Sequence, residues 1–248
     1  MPMSSENAIW FLIILMPLAA FLYASVGHGG ASSYLMLLTL FHYVPEQIRT
    51  TALVLNILVS GVAFLSYQRV CVFPTKLFIS LIIFSVPAAY LGGTFKVDVV
   101  LYKKILGILL LFPALRLFNV FPISNKIIVE KKIWIASALG LGIGFFSGLI
   151  GIGGGIILSP ILLMMGWTNV KETAAVSAFF IFLNSIAGLI GSGSFQFQID
   201  SQIQILLPLT VVAGVVGAYL GAHRFNVPVL KYLLGIVLFI ASVKFILV

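Results

Sequence analysis

Ser147-Gly148-Leu149-Ile150-Gly151-Ile152-Gly153-Gly154-Gly155-Ile156-Ile157-Leu158-Ser159-Pro160 lies in the middle of a stretch, Ile133–Val170, that holds no Asp, Glu, Lys or Arg over 38 residues. As one helix it would be about 57 Å long at 1.5 Å per residue, nearly twice the hydrocarbon thickness of a bilayer. Such a run must break and turn back. Glycine is where a helix breaks at least cost, because it adopts backbone angles that other residues avoid. A second run, Asn7–Pro45, is charge-free over 39 residues and carries Gly27-His28-Gly29-Gly30 near its centre. Each run therefore reads as a helix–break–helix element.

The remaining charge-free runs are of single-span length: Thr50–Gln68, Leu77–Phe95, Ile105–Asn125 with Arg116 inside it, Thr173–Ile199, Ser201–His223 and Val229–Val248 with Lys231 and Lys244 near its ends. They repeat in order. Ala89-Tyr90-Leu91-Gly92 recurs as Ala218-Tyr219-Leu220-Gly221. Lys103…Gly107-Ile108…Arg116 recurs as Lys231…Gly235-Ile236…Lys244, and Asn56 recurs as Asn184, both at an offset of 128. Gly27 matches Gly151 at an offset of 124. The expected fold is an all-α polytopic membrane protein of two repeats, residues 1–122 and 123–248, forming one transmembrane domain. Each repeat holds a glycine-broken helical pair plus three transmembrane helices, 8–10 apolar helical segments in all. Whether the broken pair is re-entrant or fully spanning, each repeat crosses an odd number of times, so the second repeat is expected to be inverted.

Composition agrees with placement in lipid. The chain has 248 residues, 14 Lys+Arg against 6 Asp+Glu, 61% hydrophobic residues and a mean hydropathy of +1.21. So few charges cannot cover a soluble globule, which excludes a water-soluble enzyme and a disordered chain. A β-barrel would alternate apolar with polar residues, which these runs do not. The net charge of +8 is scattered between apolar runs rather than gathered in a stripe, so nucleic acid is not an expected partner. The bilayer is. Cys71, the single cysteine, permits no internal disulfide. No Lys or Arg precedes the first apolar run, so residues 8–24 read as a retained membrane helix rather than a signal peptide.

With inverted repeats, Arg69, Lys76, Arg116, Lys126, Lys131, Lys132, Lys171, Arg224 and Lys231 fall on one face, and Arg49, Lys96, Lys103, Lys104 and Lys244 on the other. The excess of positive residues marks the first face as cytoplasmic. Localisation in the cell (inner) membrane follows as an expectation. Trp10, Trp134 and Trp167 are expected at the membrane interfaces, and Pro17, Pro87, Pro113, Pro160 and Pro208 within spans.

The candidate site is built on the two breaks. A helix starting near Ala31 and another near Ile156 present unpaired N–H groups and positive dipole ends, an anion-binding arrangement that needs no charged side chain. Candidate substrate-binding residues are Gly27, His28, Gly29 and Gly30 in the first break and Gly151, Gly153, Gly154 and Gly155 in the second. Thr51, Asn56, Ser177 and Asn184 on the following helices join them. The other reading of the glycines is close helix packing. His28 at membrane depth is costly and suits a hydrogen-bond donor to an anion or a proton carrier, or else a neutral ring bonded to a carbonyl. Thr50, Thr51 and Ser177 are expected at helix starts. Ser32, Ser33 and Ser159 are expected to satisfy freed backbone groups, and Glu46 and Glu172 to stabilise helix N-termini. Ser147 with a histidine is weighed as an intramembrane hydrolase pair, but the Gly-x-Ser spacing is absent. No metal cluster, phosphate loop or cofactor motif appears, so no cofactor is expected.

Gly151-Ile-Gly-Gly-Gly155…Pro160, Ala175-Val-Ser177 and Phe182-Leu-Asn184-Ser185…Gly188 resemble the second-half signature of the sulfite exporter TauE/SafE family. Gly27-His-Gly-Gly30, Thr51 and Asn56 resemble its degenerate first half. The resemblance covers nearly the whole chain. It implies a secondary carrier of small sulfur-containing anions such as sulfite or sulfonates, with the glycine clusters, Thr51, Asn56, Ser177 and Asn184 at its site. The first repeat departs from the pattern at His28 and at Gly30-Ala31. An anion or small-solute channel is the alternative function. A homo-oligomer is compatible with the short loops.

Overall fold

The computed structural model describes residues 5–41, 43, 45–95, 132–193 and 201–226, with further helical positions between 228 and 243. Lys96, Lys103, Lys104, Gly107, Ile108, Pro113, Arg116, Lys126, Lys131, Lys231 and Lys244 lie outside the described residues. Eight helices are described: α1 (Ser5–Ala24), α2 (Ala31–Leu40), α3 (Pro45–Tyr67), α4 (Thr75–Thr94), α5 (Ile133–Ile150), α6 (Gly155–Met164), α7 (Val170–Gly191) and α8 (Ser201–His223). There are no strands among the described residues. The protein is an all-helical membrane protein, and five of these helices are long and apolar enough to cross a bilayer.

The two overlong runs break where the glycines lie, at Ser25–Gly30 and Gly151–Gly154. Each break joins a long helix to a ten-residue one. Ten residues rise about 15 Å, half the apolar thickness, so α2 and α6 are half-helices.

Contacts along the helices give their directions. Leu53 faces Gly188, Asn56 meets Ser185 and Gly61 faces Phe182, so α3 and α7 are antiparallel. Gly140, Gly144 and Gly148 of α5 press in turn on Leu81, Ser85 and Ala89 of α4, so those two run parallel. Gly217 and Gly221 of α8 press on Phe21 and Ser25 at the end of α1, also in parallel. In both pairs the long helix of a broken element packs on an unbroken helix distant in the chain. These directions carry Arg69, Lys76, Lys132, Lys171 and Arg224 to one end of the bundle and Arg49 to the other.

The glycine rows have a packing cause. Lipid tails are as apolar as leucine, so membrane helices associate through close backbone contact and dispersion. A Cβ on Gly140, Gly144 or Gly148 would collide with the facing α4 carbonyl, whereas a Cβ on Gly142 of the same helix would meet nothing within 4 Å. Gly144→Leu is therefore expected to lower stability by about 1–3 kcal/mol, through overpacking and helix separation, and Gly142→Leu to change it by less than about 0.5 kcal/mol. Thermal unfolding of the two variants in detergent checks this.

Some sequence expectations are corrected. Trp10 and Trp134 are 65% and 70% exposed, as interface anchors are, but Trp167 is 3% exposed. The short return from α6 to α7 folds it into the buried cluster with Leu158, Leu162 and Phe180. Thr50, Thr51 and Ser177 do not begin helices. Proline suits a helix's first position, so α3 starts at Pro45. A capping box of Asn169 and Glu172 starts α7 at Val170. Glu172 thus has the helix-start role expected of it.

Candidate functional site

The two breaks meet inside the bundle. At the offset of 124, Gly27 with Gly151 and Gly30 with Gly154 share a positive φ, whereas Gly153 has φ 81° and its counterpart Gly29 does not. Gly30 and Gly154 are both N-caps in the left-handed region, with φ 93° and 75°, and the half-helices begin one residue later, at Ala31 and Gly155. Only glycine enters this region without steric penalty. Neither cap residue supplies a side-chain hydrogen bond, and the first N–H groups of a helix have no carbonyl one turn back.

Asn56 ties the breaks together from the middle of α3. Its Oδ1 accepts from the Ala31 N–H at 3.1 Å. Its Nδ2 donates to Ile152 O at 2.9 Å and to Ser185 Oγ at 3.3 Å. The side chain lies between Gly29 and Gly153, the same position in the two breaks. A Cβ on Gly29 would strike Asn56 Oδ1, and one on Gly153 would stand 2.8 Å from Nδ2.

His28 makes the second tie. Its Nε2 lies 3.1 Å from Gly155 O and 2.9 Å from Ser159 Oγ, and Ser159 Oγ is 2.7 Å from Ser177 Oγ. A carbonyl only accepts, so Nε2 carries the proton, and the Ser159 hydroxyl is left to donate to Ser177. In the neutral ring Nδ1 is then an acceptor. It is buried and has no hydrogen-bond partner in the structure. The Thr51 and Tyr34 hydroxyls are likewise buried without a partner, and Tyr34 Oη stands 2.6 Å from where a Gly30 Cβ would be.

His28, Thr51, Asn56, Ser177 and Asn184 are all 0% exposed. Of the sequence-predicted set, His28, Gly29, Asn56, Gly153, Gly155 and Ser177 are joined through the Asn56 and His28 contacts, and Gly30 and Gly154 cap the half-helices beside them. Gly27 lies against the Ala174 backbone on α7, and Gly151 against the Arg49 side chain. Asn184 turns elsewhere. It accepts from Ser85 Oγ of α4 at 2.5 Å and donates to Phe180 O of its own helix. The Asn56–Asn184 pair is equivalent in position and not in contacts.

Ser159 and Ser32 do not serve freed backbone groups. Ser159 bonds His28, and Ser32 Oγ lies 2.7 Å from Tyr23 Oη. Ser147 Oγ is buried and unpartnered, and the hydroxyl on His28 is that of Ser159, so the pair weighed for hydrolysis does not form. The sequence reading did not place Ser185 at the site, although it stands in the Phe182–Gly188 signature, and it took Arg49 only as a charge at a membrane face. Arg49 is half-buried, and its Nη2 donates to Gly93 O at 2.9 Å and Gly148 O at 2.6 Å.

The sulfite exporter TauE/SafE profile matches residues 12–245. The chain belongs to the sulfite exporter TauE/SafE family. Among its relatives is a probable membrane transporter protein, y4hK, of Sinorhizobium fredii. It is 29% identical over 241 residues, which cover 96% of each chain. A probable membrane transporter protein of Methanocaldococcus jannaschii, MJ0441, is 31% identical over 188 residues, 72% of this chain and 70% of that one. YunE of Bacillus subtilis, also a probable membrane transporter protein, is 34% identical over 89 residues, 36% of this chain and 31% of its own. No solved structure matches. This TauE/SafE chain is thus a multi-pass membrane transporter whose two glycine breaks adjoin at a buried polar centre.

Proposed function

We propose that the protein is a secondary transporter of small sulfur-containing anions, such as sulfite or a sulfonate, that works by alternating access around the two adjoining breaks. The carrying observation is the meeting of two half-helix N-termini, each capped by a left-handed glycine, at one centre that contains neutral polar groups. Helix dipoles and backbone N–H groups favour an oxyanion there. Thr51 and Ser177 add neutral hydroxyl donors beside these ends, which Asn56 and His28 hold together. Asn184 supports the α4 side through Ser85. His28 Nδ1 supplies a place for a proton that accompanies the anion, making the ring a cation beside it.

Inverted repeats support the alternating cycle, since the matched helices α3 and α7 run in opposite directions and the halves rock about the shared centre. The burial of the polar set favours a carrier, in a state closed to both faces, over an open channel. The cell membrane is the proposed location, with the face of Arg69, Lys76, Lys132, Lys171 and Arg224 cytoplasmic.

The test is a panel of labelled anions in proteoliposomes. Sulfite or a sulfonate is expected to enter with saturable kinetics and to show counterflow against unlabelled substrate. Flux of none of these anions sinks the reading, and non-saturating flux without counterflow assigns a channel.

A further inference from the structure

Arg49 and Lys171 are cations near the starts of corresponding helices, although they are not aligned residues, since the offset of 128 pairs Arg49 with Ser177. Each lies near the N-terminal end of the long helix that follows a half-helix, Arg49 on α3 and Lys171 on α7. Each reaches across to carbonyls in the last turn of another helix. Arg49 Nη2 holds Gly93 O at the end of α4 and Gly148 O at the end of α5. Lys171 Nζ holds Ala222 O at the end of α8, at 2.9 Å. The end of α1 is held on that same face by Tyr67, whose hydroxyl donates to Ser25 O at 2.5 Å. Arg49 therefore joins α3 to α4 and α5 at one face, and Lys171 joins α7 to α8 at the other, where Tyr67 ties α1 to α3. Because α3 and α7 are antiparallel, the two sets lie at opposite ends of the bundle.

What they hold are the two glycine-packed pairs, α4–α5 and α1–α8. Backbone contact along the glycine rows joins each pair closely; Gly93 and Gly191 join α4 as closely to α7, and Gly214 lies on Val59 of α3, so α4–α5 goes with α7 and α1–α8 with α3. Opening one face requires α4–α5 to leave α3, and opening the other requires α1–α8 to leave α7. The last carbonyls of a helix lack donors within it and carry the negative dipole end, so a cation there makes a strong, charge-assisted contact. Such a contact is also reversible, since water replaces it when the face opens.

We propose that Arg49 and Lys171 are the two latches that close the opposite faces of the transporter, Arg49 by clamping α4–α5 to α3 and Lys171 by clamping α1–α8 to α7. This rests on the alternating-access reading, and it adds which bodies move and what holds each one shut.

The test uses the full chain in proteoliposomes, with Cys71→Ser removing the native thiol and one reporter cysteine in each version. Leu53→Cys lies one turn inward from Arg49, and Ala175→Cys one turn inward from Lys171. Both positions are buried, at 1% and 0% exposure. A membrane-impermeant maleimide is applied from each side. Arg49→Gln is expected to raise the labelling rate of Leu53→Cys by about tenfold or more and leave Ala175→Cys unchanged or slower, as a population shift toward one open face requires. Lys171→Gln is expected to do the reverse. Arg49→Lys keeps a cation and is expected to stay within about threefold of the parent.

No change at either reporter overturns the latches. So does an equal rise at both reporters in each variant, which is general loosening. The latches stand and the cargo reading falls if sulfite and sulfonates leave the parent reporters unmoved while the variants still act face by face. The converse result, anions shifting the reporters and the variants not, removes the latches alone.

Discussion

Asn56→Leu is expected to abolish transport, by about a hundredfold or more per folded molecule. Leucine nearly matches asparagine in size, so the loss is chemical. It strips the Ala31 N–H of its acceptor and Ile152 O of its donor, one group in each break. A buried backbone group left unpaired costs about 1–3 kcal/mol, and both groups are lost together. The sum, about 2–6 kcal/mol, brackets the roughly 2.7 kcal/mol that corresponds to a hundredfold in a rate. The breaks then lose their common tether, and the two half-helix ends no longer share one centre. Asn184→Leu is the matched control. It removes the bonds to Ser85 and Phe180 and touches neither break. Its transport defect is expected to be roughly tenfold smaller, as a side chain that acts through α4 packing implies. Uptake normalised to monodisperse protein measures both. Equal losses at the two asparagines would show that Asn56 acts only as helix glue.

Gly154→Leu is expected to lose transport to a similar degree while the protein stays folded. Two costs add. At φ 75° a side chain is disfavoured by about 1–2 kcal/mol. Its Cβ would also stand 2.8 Å from Ile143 Cγ2, 3.0 Å from Phe180 Cε1 and 3.2 Å from Ser147 Cβ, before the rest of the leucine is placed. Relief of that overpacking, worth about 1–3 kcal/mol, displaces the cap of α6 and with it Gly155 O, the partner of His28. Gly154→Ala adds the Cβ alone and is expected to lose less. A Gly154→Leu protein with unchanged uptake would show that the N-terminus of α6 takes no part in binding.

The membrane class, the helical segments and both breaks were legible in the sequence because they depend on local composition. A charge-free run too long for one span must turn, and glycine marks the place. The offset of 124 even aligned the caps, Gly30 with Gly154. The start of α7 was misread despite a local signal, since Asn169 and Glu172 form a capping box ahead of Ser177. Arg49 was misread because a cation at a span end suits a headgroup as well as a helix terminus; only the neighbour across the bundle separates the two.

The sequence by itself determined that this chain lies in a membrane and that its two overlong apolar runs are each interrupted at a glycine cluster. Those features follow from hydropathy, length and backbone freedom, which are properties of short stretches. The tertiary structure alone decided that the breaks adjoin, that Asn56 bridges them while its equivalent Asn184 faces α4, that His28 pairs with Ser159, and that Arg49 and Lys171 reach opposite helix ends. Each of these joins residues far apart in the chain. A hydrogen bond needs its partners placed to within a few tenths of an ångström, and only the packed helices supply that placement.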